Sequence, residues 1–183
     1  MIDDDARLML RVRGGDRRAF EELFRRYTPP LVGFLGRMVP ERARAEELAQ
    51  EAFLRIYQAR DRYEPKARFS TWLFSIANNL ALNELARSYR KREAPLEGSG
   101  ADQLAAPQTA VDEGLEERRA LSAVEQALAA LPERQRAALL LRAGRGLGYA
   151  EIAEVMGTSS ASVKSLIHRA REKLVALRGE TPS

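Results

Sequence analysis

Residues 146–177, GLGYAEIAEVMGTSSASVKSLIHRAREKLVAL, decide the fold, because they read as two helices set apart by a tight polar turn. In the first helix Tyr149, Ile152, Ala153 and Met156 fall at i, i+3, i+4 and i+7, a one-sided apolar stripe. Gly157-Thr158-Ser159 interrupts it. At ~100° per residue the second helix gathers Val163, Leu166, Ile167, Ala170, Leu174 and Leu177 on one side and leaves Lys164, Ser165, His168, Arg169 and Glu172 on the other. This is the pattern of a helix-turn-helix. The apolar stripe anchors the second helix, so its opposite face is free to enter a major groove with its early residues at base edges. Arg171 and Lys173 flank that face, where phosphates would lie. An amphipathic hairpin with a solvated polar face has the same periodicity. Five Lys/Arg against one Glu over residues 163–178 favour DNA over that plainer reading.

Charge divides the 183 residues into three blocks. Residues 1–92 carry a net +6, residues 93–117 a net −7 without one basic side chain, and residues 118–183 a net +5. Two cationic units joined by an acidic segment fit two modules that each meet a polyanion. The joining stretch, EAPLEGSGADQLAAPQTAVDEGLEE, mixes Gly, Pro, Ser and acids with no helical period over most of its length, and reads as a flexible acidic linker. Elsewhere Ala, Leu, Arg and Glu dominate and strand-like alternation is nearly absent. The expected fold is all-α, with two small helical domains, the second containing the helix-turn-helix.

The absence of cysteine removes disulfides, thiolate metal sites and cysteine nucleophiles. His168 is the single histidine, so neither a metal site nor a cofactor is expected, and no acid–base constellation marks an enzyme. MIDDDARLML is acidic where a signal peptide starts basic, and no apolar run approaches the ~18 residues of a membrane span. The expectation is a soluble, cytoplasmic protein without membrane insertion.

In the first block Asp16 is placed to cap a helix with Phe20, Leu23, Phe24 and Tyr27 inward, and Pro29-Pro30 predicts a break or kink before Phe34, Leu35 and Met38 resume the core face. Residues 46–59 form a further helix with Leu48, Ala52, Phe53 and Ile56 buried and Glu46, Glu47, Gln50 and Glu51 mostly outward. Two readings stay open for these acids: first-turn carboxylates that suit the helix dipole, or a docking face for a basic partner. After the polar loop at residues 61–68, Ser70 is placed to cap a long helix. On it Trp72, Ile76, Asn79, Asn83 and Arg90 share one sector with Arg87 beside it. Amides pair with base edges, aromatic rings stack on unpaired bases and arginines hold phosphates, so the sector suits nucleic acid. Taken singly, Trp72 reads as a core anchor and the asparagines as ordinary surface; the adjoining RSYRKR run weighs against that. Past the linker, Leu121, Val124, Leu128 and Leu131 form an apolar stripe, Pro132 opens the next helix, and GRGLGY does not match the phosphate-binding GxxxxGK[ST].

Four stretches in order, LMLRVRGGDRRAFEELFRRY, AEELAQEAFLRIYQAR, FSTWLFSIANNLALNEL and LPERQRAALLLRAGRGLGYAEIAEVMGTSSASVKSLIHRAREKL, resemble the sigma factors of bacterial RNA polymerase, specifically the extracytoplasmic-function (ECF) class. The resemblance spans essentially the whole chain. It implies a region-two domain over residues 10–92, a linker over 93–117 and a region-four domain over 118–178 with its helix-turn-helix at about 149–168. It further implies that Glu46, Glu47, Gln50 and Glu51 dock on the clamp helices of the polymerase beta-prime subunit and that region four meets the beta flap. Trp72, Asn79, Asn83, Arg87 and Arg90 would recognise and open the minus-ten element, with residues 61–69 capturing a flipped base. Lys164, Ser165, His168, Arg169 and Arg171 would read the minus-thirty-five element. Core RNA polymerase, promoter DNA and an anti-sigma factor are the implied partners. The sequence departs from the family pattern at Arg44, where an Asp-rich run is usual, and at Leu166, where Arg is frequent. The alternative is a free-standing helix-turn-helix regulator, which needs neither the Trp72 helix nor a polymerase-docking face.

Overall fold

A computed structural model describes residues 2–94 and 115–179. Among the described residues there are eight α-helices, one 3-10 turn and no strand. The first group is α1 (Asp4–Arg13), α2 (Arg17–Met38), α3 (Arg42–Gln58), a 3-10 turn (Arg60–Arg62) and α4 (Phe69–Glu93). The second is α5 (Leu115–Ala129), α6 (Glu133–Arg145), α7 (Tyr149–Met156) and α8 (Ser160–Gly179). Most of the expected linker, residues 95–114, lies outside the described residues.

Asp16 caps α2 as expected, its carboxylate accepting the Ala19 N–H at 3.2 Å while Arg11 holds it from the other side at 2.7 Å. The Arg11 hydrogen bond and the Ala19 N–H together hold the Asp16 carboxyl below the usual carboxylate range. The expected break at the prolines does not occur, since α2 runs on through Pro29 and Pro30 to Met38. Each interior proline removes one hydrogen bond and costs ~3 kcal/mol. Leu23, Tyr27, Leu31, Phe34, Leu35 and Met38 nevertheless form one buried stripe across the site, and that packing holds the helix together.

Two helix starts also differ from expectation. α4 begins at Phe69 with Arg68 as its N-cap and no side-chain cap, so Ser70 is inside the first turn. Phe69 is fully buried against Tyr27, with ring centroids 5.2 Å apart, and this burial draws the start forward. α3 begins at Arg42, which puts Arg42 and Arg44 in its first turn and moves Glu46 and Glu47 to the second. The dipole reading of those acids therefore fails. They pair instead with the preceding arginines, Arg42 with Glu46 at 3.4 Å and Arg44 with Glu47 at 2.7 Å.

The two helical groups share a continuous apolar core. α7 packs along α4, and α6 and α5 pack against α2. Arg136 of α6, only 8% exposed, donates to the carbonyls of Met38 at 2.9 Å and Arg37 at 3.4 Å, the last turn of α2. Arg145 lies over the rings of Phe74 (5.2 Å) and Tyr27 (6.0 Å), and Arg68 pairs with Glu151 at 3.2 Å.

Candidate nucleic-acid interface

α7 and α8 are the two helices of the predicted helix-turn-helix. Gly157 at φ +60 ends α7 in the left-handed conformation that L side chains resist, and Ser159 accepts the Ser162 N–H at 3.1 Å to start α8. Val163, Ile167 and Ala170 bury the inner face against α6 and α7, while Leu166 and Leu174 are half-buried at its margin. Lys164, Ser165, His168, Arg169 and Arg171 are all exposed. His168 approaches Glu172 at 3.3 Å, a turn farther along.

Sequence periodicity did not foresee what steadies this face. Tyr149, placed in the inner stripe, is half-buried, with the Lys164 ammonium 5.5 Å from its ring centroid and the Arg142 guanidinium at 5.0 Å. Arg142 in turn donates to the Leu147 carbonyl at 2.8 Å. Lys164 thus starts from an aromatic rest rather than from open water. An aromatic residue fifteen positions before a lysine across a predicted turn is the only signal the sequence offers.

On α4, Asn79, Asn83, Arg87 and Arg90 are exposed together along one face, while the neighbouring Asn78 is buried at 1%. Trp72 sits differently. It is half-buried, its indole stacked on Tyr63 at 5.1 Å and 27°, with Phe69 edge-on at 6.3 Å. One ring face is already occupied, so stacking on a base is limited to what remains open. Burial pushes the Tyr63 phenol up to about 12 and its hydroxyl has no partner, so the ring serves as a platform. Arg13 of α1 fixes that platform by donating to the Tyr63 carbonyl at 2.9 Å.

A third face lies on α2 and α3. Glu46, Glu47 and Gln50 are exposed and Glu51 is partly so, paired with Arg55 at 2.6 Å. Beside Gln50 is an apolar groove lined by Phe20, Phe24, Phe53, Leu54 and Tyr57. Phe24, expected in the core, is 39% exposed, and Leu54 and Tyr57 are 54% and 42% exposed. The expected docking face is therefore acidic at one end and aromatic at the other.

Arg44 links this face to α4, donating to Glu84 at 2.9 Å as well as to Glu47. Its hydrogen bond is the main reason the mostly buried Glu84 carboxyl sits below the usual range. A depressed folded pKa stabilises the protein above the ordinary carboxylate pKa, and that stabilisation is lost as pH falls through the folded value. Glu84→Gln is expected to reduce stability at neutral pH while flattening the decline below about pH 5, read from urea unfolding midpoints across the acid range.

Two family models match separate stretches of the chain. Residues 23–91 match the family model for sigma-70 region 2, and residues 121–174 that for sigma-70 region 4. The RNA polymerase sigma-H factor of Pseudomonas aeruginosa is 36% identical over 178 residues, covering 94% of this chain and 92% of that protein. The ECF RNA polymerase sigma-E factor of Escherichia coli is 35% identical over 178 residues, covering 93% and 92%. Among solved structures, CnrH in complex with the cytosolic domain of CnrY superposes with a TM-score of 0.73 at 28% identity, covering 98% of this chain and 100% of that one. With both family models matched in order and relatives aligned over nearly the full length, the chain belongs to the sigma-70 family of RNA polymerase sigma factors, in its ECF group, and acts with core polymerase on promoter DNA rather than as a free-standing regulator.

Proposed function

We propose that residues 10–92 form the unit that docks on core polymerase and opens the minus-ten element, and that residues 118–178 form the unit that reads the minus-thirty-five element. The observation that carries this is the exposure of both polar faces, Asn79 to Arg90 on α4 and Lys164 to Arg171 on α8, while the opposite faces of the same helices are buried. Arginines hold phosphates and amides reach base edges. Trp72 supports the opened strand from its Tyr63 platform. The protein works in the cytoplasm, without catalytic chemistry of its own, as a specificity subunit. Among the described residues no helix is long and apolar enough to cross a membrane. An anti-sigma factor is a further partner of this reading.

Docking combines the carboxylates with the aromatic groove. Gln50, Leu54 and Tyr57 lie on one exposed strip of α3, and Glu47 and Glu51 border it. Glu47→Lys/Glu51→Lys places like charges beside Arg44 and Arg55 and removes two ion pairs that face solvent, where folding loses little. Co-purification with core polymerase is expected to fall at least tenfold while the circular dichroism spectrum is unchanged. Normal co-purification by a folded double variant would remove the docking assignment. Gel-shift and run-off transcription assays with and without core enzyme test the whole reading, because tight sequence-specific binding by the free chain would favour a free-standing regulator.

A further inference from the structure

We infer that Glu84, held in place by Arg44, is a positioning residue that draws Arg87 back from the DNA and so limits how tightly the exposed face of α4 grips phosphate. This rests on the assignment of α4 to the opened strand.

Glu84 is the one carboxylate between Phe69 and Arg92, in a stretch otherwise neutral or basic. Its two oxygens are divided between two helices. Oε2 accepts from Arg44 of α3 at 2.9 Å, and Oε1 accepts from Arg87, one turn along α4, at 3.4 Å. Arg44 is divided as well, its other terminal nitrogen donating to Glu47 at 2.7 Å. Glu47, Arg44, Glu84 and Arg87 therefore form a row of alternating charge that runs from the exposed acids of α3 to the exposed face of α4. The middle of the row is enclosed, with the Arg44 Nε buried and the Glu84 side chain only 12% exposed, against 58% for Arg87. Arg44 meets both carboxylates with a planar fork that has no room to turn, so Glu84 is the fixed member and Arg87 the movable one.

An arginine that holds a phosphate must first leave the carboxylate it rests on. The Arg44 hydrogen bond is the main reason the Glu84 carboxyl stays below the usual range, with the charges of Arg87 and Lys91 adding to it, so Glu84 is ionised wherever transcription is assayed. Two consequences of opposite sign follow. Removing the Glu84 charge frees Arg87 for phosphate and takes a negative charge away from the strand. Removing the Arg44 charge leaves Glu84 to Arg87 and Lys91, which ties Arg87 down and turns a poorly compensated carboxylate on the DNA. A pair that merely braced α4 against α3 would lower affinity in both cases. Phosphate contacts add affinity without sequence information, so an arginine held back leaves more of the choice of strand to Asn79 and Asn83.

Holoenzyme assembled at saturating core polymerase is to be titrated with a fluorescein-labelled promoter fragment pre-melted across its minus-ten region, over a range of salt concentrations. Glu84→Gln is expected to bind about threefold more tightly than wild type, with the slope of log affinity against log salt steeper by ~0.7, the value for one phosphate on a single strand. The gain should be equal on a scrambled minus-ten sequence and should vanish in an Arg87→Ala background. Arg44→Met is expected to bind roughly threefold more weakly, and Arg44→Met/Glu84→Gln to regain the affinity of Glu84→Gln. Tighter binding does not come from a damaged fold, so Glu84→Gln decides the matter even where Arg44→Met is unstable. Unchanged or weaker binding by Glu84→Gln overturns the inference while the assignment of α4 stands, as does a gain that survives Arg87→Ala. Binding unaffected both by Arg87→Ala and by Asn79→Ala/Asn83→Ala overturns the assignment of α4, and the inference with it.

Discussion

Lys164→Ala/Arg169→Ala is expected to lower run-off from a duplex promoter roughly 30-fold or more, at ~1–3 kcal/mol for each side chain that makes a bidentate base contact. Both residues are exposed on the outer face of α8, and the buried face that fixes the helix is untouched. The fold should therefore be intact and the salt dependence of promoter binding should fall. On a template already melted across the minus-ten region the loss should shrink, because upstream binding then has less opening to support. Asn79→Ala/Asn83→Ala should behave in the opposite way. These amides belong to α4, which is proposed to engage the opened strand, so pre-melting should not replace them. Permanganate footprinting alongside transcription on duplex and bubble templates separates the two patterns. Wild-type opening by the asparagine double variant would reduce α4 to a core element.

Phe69→Ala should cost about 3–5 kcal/mol of stability, the range for removing a fully buried aromatic side chain. Its consequence for function is more specific. Phe69 supports the edge of Trp72 and packs against Tyr27, so its loss undercuts the indole platform as well as the core. Trp72 is the chain's only tryptophan, which makes its emission a direct reporter. A red shift in the folded variant, with denaturant unfolding moved to lower midpoint, is the expected pair of readings. An unshifted spectrum would show that Phe69 does not hold the indole.

The helix-turn-helix was readable because its period, its interrupting glycine and its charge all agree. Ile152, Val163, Ile167 and Ala170 turn inward as the 3.6-residue period requires, and Gly157 takes the positive φ that its place in the turn demands. The same period misjudged α2. Local propensity assigns a proline pair to a break, but Leu31, Phe34 and Leu35 are held by partners on α3 and α4 that a local window does not contain. Phe24 shows the reverse error. An aromatic residue on an apolar stripe reads as core, and only the arrangement of α2 beside α3 shows that it edges an open groove. The exposure of the polar side chains on α4 and α8 was legible because it follows from one helix alone. Tyr63 beneath Trp72, Arg142 beside Tyr149 and the Arg44–Glu84 pair were not, since each joins elements whose relation appears only after folding.

Arg136, in LPERQR, is the furthest of these from anything a sequence window could show. Its partners are carbonyl oxygens, not carboxylates. Added electrolyte weakens attraction between exposed ions, with a Debye length of ~3 Å at 1 M, yet scarcely touches a hydrogen-bonded guanidinium sealed among main-chain dipoles. Acid has no hold on it either, because none of its acceptors titrates. The rim pair Arg68–Glu151 should weaken in concentrated salt while the hydrogen bonds around Arg136 persist, so the packing of α6 on the end of α2 is insensitive to ionic strength.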